Sequence, residues 1–201
     1  MTIFYKSPIG YLKIELVENI KQEFKIVSCV FVDEKNENII KKEDKKLEQN
    51  INKEAQKKDE KISLETQKEI QTEIFVELDN YFLHKKDFSK EFLKKYINMS
   101  ELLNADGKKA TDFQKDIWGV INKVKIGQVI NYTEMSERAR RPEATRAAGS
   151  ACGQNPLALF IPCHRVLRKD GEVNYKDRGY SWGPERKTWL LEHEGHVFKK
   201  L

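Results

Sequence analysis

Apolar residues along the chain fall into runs of two distinct periods. Residues 3–5 and 12–17 flank Ser7-Pro8-Ile9-Gly10, whose proline and glycine suit a tight turn, so the opening reads as a β-hairpin. Phe24–Val32 is a β-branched run that predicts a third strand, with Cys29 inside it as a core residue. Helical spacing follows: Thr66 and Glu69 form the S/T-x-x-E pattern of a capping box, and Ile70, Ile74, Phe75, Leu78 and Phe82 share one face that can pack on the strands. Residues 102–111, with Asn104, Asp106 and Gly107, read as a linker.

Beyond the linker, Asp112 is placed to cap a helix whose apolar face is Phe113, Ile117, Trp118 and Ile121, closed by Lys125-Ile126-Gly127. Thr133 caps a short helix reaching Ala139; Arg140-Arg141-Pro142 interrupts it, and a second helix covers residues 143–152 with proline at its start. Helix, short turn, helix is a helix-turn-helix. The pattern thus predicts an α+β chain in two parts: an α/β unit over residues 1–105 and a mostly helical unit over residues 106–201.

Composition changes this picture in one place. Residues 33–65 contain no aromatic residue, glycine or proline and are dominated by Lys, Glu, Asn and Gln, which locates the charged fraction of 34% and the mean hydropathy of -0.71. Such an insertion buries too little apolar surface to offset its ordering entropy, so it reads as disorder or a frayed helix, and its alternating signs suit a solvated segment better than a nucleic-acid arm. Residues 1–107 carry 19 Lys and Arg against 21 Asp and Glu, whereas residues 108–201 carry 18 against 11. The basic half suits a polyanionic partner. Three cysteines and four scattered histidines form neither a disulfide framework nor a zinc spacing, so no metal or cofactor is expected. The start has no leader pattern and no run reaches membrane-spanning length, which predicts a cytoplasmic protein.

Chemistry concentrates in Ile161-Pro162-Cys163-His164-Arg165-Val166. A thiol attacks as thiolate, so a nucleophilic cysteine needs a base or a positive field nearby, and adjacent side chains diverge, so His164 needs a third group to aim it. A cysteine hydrolase could use Cys and His alone, but it would leave the arginines and the small-residue helix unexplained.

This hexapeptide resembles the active-site motif of the O6-alkylguanine-DNA alkyltransferases. The flanks extend the match: Arg146-Ala147-Ala148-Gly149 and Gly153-Gln154-Asn155-Pro156 before it, Gly179-Tyr180-Ser181-Trp182-Gly183, Arg186-Lys187 and Trp189-Leu190-Leu191-Glu192-His193-Glu194-Gly195 after it. The resemblance covers residues 113–195. It implies an RNase H-like N-terminal domain, a winged-helix-like DNA-binding domain and repair by stoichiometric transfer of an alkyl group from O6 of guanine, or O4 of thymine, to Cys163 after base flipping. The partner implied is double-stranded DNA containing O6-alkylguanine, met by a monomer.

The same resemblance implies the residue roles. Cys163 is the acceptor, activated by His164 through a water and by Glu194 behind it, with Glu192 a solvated neighbour. Asn155 bridges the helix-turn-helix to the active-site turn, Tyr132 turns the target phosphate and donates to the purine, and Arg146 fills the hole left by the base. Ala147, Ala148 and Gly149 let the helix approach the groove, Arg138 and Arg141 meet phosphates, and Arg165 braces backbone carbonyls. Tyr180, Ser181, Trp182 and the carbonyl of Val166 hold the base. One departure is a longer loop at 172–178, in which Asn174-Tyr175 competes with Gly179-Tyr180 as the matching pair. A catalytically inactive binder of alkylated DNA that recruits other repair proteins is the alternative, and the presence of Cys163 argues against it.

Overall fold

The computed structural model describes residues 1–32, 63–171, 173 and 180–197. The charged insertion lies almost wholly outside the described residues, as does the Asn174-Tyr175 pair. Three antiparallel strands, β1 (Thr2–Ser7), β2 (Gly10–Glu18) and β3 (Phe24–Val32), form a meander in the order β1-β2-β3. Its inward positions, among them Ile3, Leu12, Ile14, Leu16, Ile26 and Cys29, are all buried. Helix α1 (Leu64–His84) covers the sheet with Ile70, Ile74, Leu78, Tyr81 and Phe82, and Phe82 stacks on Tyr5. The capping residue is Ser63, whose hydroxyl accepts from Thr66 N–H, in place of the expected Thr66 cap. Helix α2 (Lys90–Tyr96), which the sequence pattern did not reveal, adds Phe92 and Tyr96 to the core.

The second part is built around α3 (Asp112–Ile121), α4 (Tyr132–Arg138) and α5 (Thr145–Gly153). Two predicted caps shift by one or two residues. Thr111, not Asp112, caps α3 in a reciprocal capping box with Gln114, and Asn131, not Thr133, caps α4 with Glu134. Helix α3 ends at Ile121, and Gly127 then turns the chain with a φ of +76°. A 3-10 turn at Pro142–Ala144 separates α4 from α5, so helix, turn and helix stand where the pattern placed them. Two short strands, β4 (Ile130–Asn131) and β5 (Val166–Leu167), pair in parallel, and α6 (Pro184–His193) closes the structure.

The two parts are joined at the sheet edge. Cys29 N–H donates to the Pro156 carbonyl at 2.9 Å and Ala158 N–H donates to the Cys29 carbonyl at 2.7 Å, so residues 156–158 pair in parallel with the outer edge of β3. That edge therefore positions the run leading to the reactive hexapeptide.

Candidate active site

Residues 155–167 are buried without a break, an unusual setting for a segment outside long helices or strands. Such a segment has to satisfy its backbone internally. Asn155 does much of this. Its amide donates to the Ile161 carbonyl at 2.8 Å and its oxygen accepts from Leu157 N–H at 3.0 Å. The same amide reaches Cys163 Sγ at 3.1 Å. Asn155 thus holds both the loop and the thiol.

The hexapeptide forms a 3-10 turn at Cys163–Arg165, which sends adjacent side chains apart. His164 and Arg165 both turn to Glu194, at the C-terminal end of α6. His164 Nε2 lies 2.7 Å from Glu194 Oε1; Arg165 Nη2 donates to the same oxygen at 2.9 Å and Nε to Oε2 at 2.9 Å. Tyr81 of α1 adds a hydroxyl donor at 2.6 Å, while Arg165 Nη1 reaches the Val124 carbonyl and Asp87. Arg165 therefore braces two carboxylates as well as the expected backbone carbonyl. Glu192 is exposed, as expected.

Electrostatics fix the state of this group. Burial alone would raise the Glu194 carboxyl, but His164 and Arg165 overcome it and hold it at about 2. Burial also lowers His164, so at neutral pH the ring is uncharged despite Glu194. An ionised carboxylate only accepts hydrogen bonds, so Nε2 carries the imidazole proton and Nδ1 is left as an acceptor. Nδ1 is buried and has no hydrogen-bond partner among the described residues. For Cys163 the direction is downward: hydrogen bonding from Cys152, then from Asn155, together with the charge of Lys187, outweighs burial and favours the thiolate.

A cavity of about 190 Å³ opens beside the thiol, lined by Tyr132, Gly149, Cys152, Gly153, Cys163, Tyr180 and Ser181. It gathers Tyr132, Gly149, Cys163, Tyr180 and Ser181 of the predicted residues, with Asn155, His164 and Glu194 behind them. Tyr180 lines it with a buried hydroxyl that has no partner among the described residues, and Ser181 ties the loop to the Gly153 carbonyl at 2.8 Å. Arg146 and Ala147 lie exposed on α5 outside the cavity. Arg138 and Arg141 are also exposed and line a separate basic groove with Lys115, Lys123 and Arg140, where Arg141 pairs with Asp116 at 3.2 Å.

Three expectations are corrected. Ala148 is fully buried, facing the core, so its methyl cannot meet a groove. Trp182 does not line the cavity: it packs edge-on against Phe31 of β3 and against Tyr180, and its carbonyl accepts from Arg186, whose Nε bonds Ile9 in the hairpin turn. It therefore backs the tyrosine. Val166 is buried outside the cavity, and its carbonyl accepts from Lys187 Nζ at 2.6 Å.

Lys187 is the residue that sequence reasoning passed over. It is 4% exposed, and among the described residues no carboxylate pairs with it, so burial pushes its ammonium down while the two thiols beside it pull the other way. A buried cation without a counter-ion is costly, and its presence beside a nucleophile marks a functional arrangement. The Arg186-Lys187 pair was the available signal. Tyr81 and Asp87 gave none.

A buried thiol with a cationic and hydrogen-bonding setting, beside a small cavity and a helix-turn-helix, defines a cysteine-nucleophile site on a DNA-binding type of scaffold. Residues 112–196 match the family model for the DNA-binding domain of 6-O-methylguanine DNA methyltransferase. Over 87 residues the chain is 41% identical to a methylated-DNA--protein-cysteine methyltransferase of Shigella flexneri, covering 43% of this chain and 48% of the relative. The human protein of that name is 44% identical over 84 residues, covering 42% of this chain and 39% of the relative. The chain spans about half the length, or less, of these relatives. Among solved structures, Mycobacterium tuberculosis OGT in complex with DNA superposes with a TM-score of 0.61 at 21% identity, covering 95% of this chain and 90% of that one. The O6-methylguanine-DNA methyltransferase of Pyrococcus kodakaraensis gives 0.56 at 23%, covering 96% and 98%. At such identities the likeness is one of fold. It extends over nearly the whole chain, including the mixed α/β first part. No described helix is long and apolar enough to cross a membrane.

Proposed function

We propose that the chain repairs DNA by transferring an alkyl group from O6 of guanine, or O4 of thymine, to Cys163. The observation that carries this reading is the Cys163 sulfur itself, held at the cavity wall by Asn155 and Lys187 with His164 and Glu194 behind it. The alkylated base leaves the duplex and enters the cavity, since its O6 carbon is out of reach in the stack. A water between Cys163 and His164 Nδ1 passes the thiol proton to the imidazole, and Glu194 orients the ring and supports its charge. The Cys163 sulfur bonds the alkyl carbon as the carbon–O6 bond breaks, Tyr132 donates a hydrogen bond to the departing purine, and the purine anion takes up a proton from solvent to leave as guanine. The product is a thioether that no neighbouring group can hydrolyse, so each molecule acts once.

The roles of the remaining residues belong to the same proposal. Arg146 and Ala147 occupy the exposed side of α5, which suits a helix laid in a groove, while Arg138 and Arg141 suit phosphates. Asn155 and Glu194 are positioning residues; Tyr180 and Ser181 contact the base. The division at residue 105 and the RNase H-like and winged-helix-like assignments are proposed with it, supported by the fold likeness and the match over residues 112–196; action as a monomer and a cytoplasmic place are proposed from the sequence alone. Intact-mass measurement after mixing with duplex DNA containing O6-methylguanine tests the whole: one methyl per chain, on the Cys163 peptide, is expected. An unmodified chain that still binds the lesion would overturn transfer.

A further inference from the structure

Cys152 has no part in the reaction described above, yet it stands next to it. It lies on the last turn of α5, is 6% exposed like Cys163, and lines the same cavity. Two thiols facing one small cavity permit chemistry that neither permits alone. We propose that Cys152 is a resolving cysteine: hydrogen peroxide entering the cavity oxidises Cys163, and Cys152 then closes a disulfide that masks the alkyl acceptor.

The chemistry balances without a further reagent. The Cys163 thiolate attacks the peroxide, forming a sulfur–oxygen bond as the oxygen–oxygen bond breaks, and water leaves after protonation. Cys152 then attacks the Cys163 sulfur, forming the disulfide as the sulfur–oxygen bond breaks, and its proton leaves with the hydroxide as a second water. Two thiols are oxidised and one peroxide is reduced to two waters.

The surroundings set the order of events. Hydrogen bonding between the two thiols raises Cys152 and lowers Cys163, so Cys163 gives up its proton more readily and is the first to oxidise, while Cys152 waits as thiol. Lys187 places positive charge beside both. Gly153 follows Cys152, and space for a Cβ there is open. Cys29 lies in the sheet core, where burial pushes its thiol up and keeps it inert. Without Cys152 a sulfenic acid at Cys163 proceeds to the sulfinic state, which reductants do not reverse, whereas a disulfide returns to two thiols. The masking rests on Cys163 being the acceptor; the cross-link does not.

The experiment exposes the full chain to hydrogen peroxide, blocks free thiols and maps the peptides, with methyl transfer assayed before and after dithiothreitol. The expected result is a loss of two hydrogens, a Cys152–Cys163 cross-link and transfer that is lost and then restored. In Cys152→Ser, and in Cys152→Ala should the serine not fold, two oxygens should accumulate on Cys163 and transfer should stay lost. Cys29→Ser should behave as the unaltered chain does. Sulfinic Cys163 with Cys152 free in the unaltered chain, or cross-links elsewhere, would overturn the proposal. A Cys152–Cys163 cross-link that leaves transfer intact would instead overturn the masking and, with it, Cys163 as acceptor.

Discussion

Replacing Glu194 by glutamine tests the centre of the site because it removes one charge and leaves the shape. The carboxylate takes hydrogen bonds from Tyr81, His164 and Arg165, and its side chain is 1% exposed. Taking away one partner of a buried ion pair costs roughly 3–5 kcal/mol, because Arg165 is then left short of its counter-charge. That is a large part of a total stability of about 5–15 kcal/mol. The pH dependence supplies a second, independent figure. A carboxyl held at about 2 against an ordinary 4.5 corresponds to roughly 3 kcal/mol at neutral pH. Because the folded value is depressed, this stability is present above the unfolded value and is lost as pH falls from about 5 toward 2. His164, lowered by burial, acts in the same direction, its share being lost as pH falls below 6.5.

The assay is urea unfolding followed by the fluorescence of the three tryptophans at neutral, mildly acidic and strongly acidic pH. Glu194→Gln should lie about 3 kcal/mol below the unaltered chain at pH 7, with the gap closing as the wild-type carboxyl itself becomes neutral. If the variant does not fold, Tyr81→Phe removes one hydrogen bond from the same oxygen and should cost about 1–2 kcal/mol. A gap below about 1 kcal/mol at pH 7, or one that does not change with pH, would refute the account of the carboxylate.

Other consequences are more local. Lys187→Met removes a buried cation without a carboxylate partner, so stability should hold or rise while the pH midpoint for reaction of Cys163 with iodoacetamide moves up; an unmoved midpoint would show that Lys187 does not act on the thiol. Arg146→Ala should slow methyl transfer from duplex DNA more than reaction with free O6-methylguanine, which needs no flipping; equal losses would remove Arg146 from that step. Trp182→Ala should lower stability by about 1–3 kcal/mol through its contacts with Phe31 and Tyr180, without hastening reaction with free O6-benzylguanine. Faster benzyl transfer would mean the indole roofs the cavity after all.

The strands and long helices were legible because their apolar residues keep one period and several of their turns carry proline or glycine. The caps were less so. Thr111 stands beside Asp112, and Asn131 lies two residues before Thr133; each could cap a helix, and only the backbone decides whose oxygen reaches the third amide. Helix α2, with seven residues, is too short for a period to declare itself. Among site residues the motif gave type but not direction. Ala148 sits among residues that face outward, yet its own side chain points to the core, and Trp182 follows two cavity-lining residues but leans on β3. Lys187 was visible only as a positive charge; that the fold buries it beside a thiol is a property of packing.

Adjacency of Cys163, His164 and Arg165 did not imply mutual contact: the 3-10 turn separates them, and the fold reconnects two of them through Glu194, with Tyr81 and Asp87 completing the group from the first part of the chain. The sheet edge at Cys29 adds two backbone hydrogen bonds to the segment before the thiol. The first part is therefore structural support for the site, although no residue of it lines the cavity. A fragment of residues 105–201 keeps α4, α5 and every cavity residue but loses the Tyr81 hydroxyl, the Asp87 carboxylate and the sheet edge. Arg165 then holds one carboxylate instead of two, and the buried run at 155–158 has orphaned backbone groups, each costing about 1–3 kcal/mol. The fragment should bind duplex DNA with the salt dependence of the full chain, since the phosphate-facing arginines remain, while methyl transfer slows and unfolding shifts to lower urea. If the fragment matched the full chain in transfer rate, the carboxylate group and the sheet edge would be incidental to Cys163, and Asn155 with Lys187 would have to hold the thiol alone.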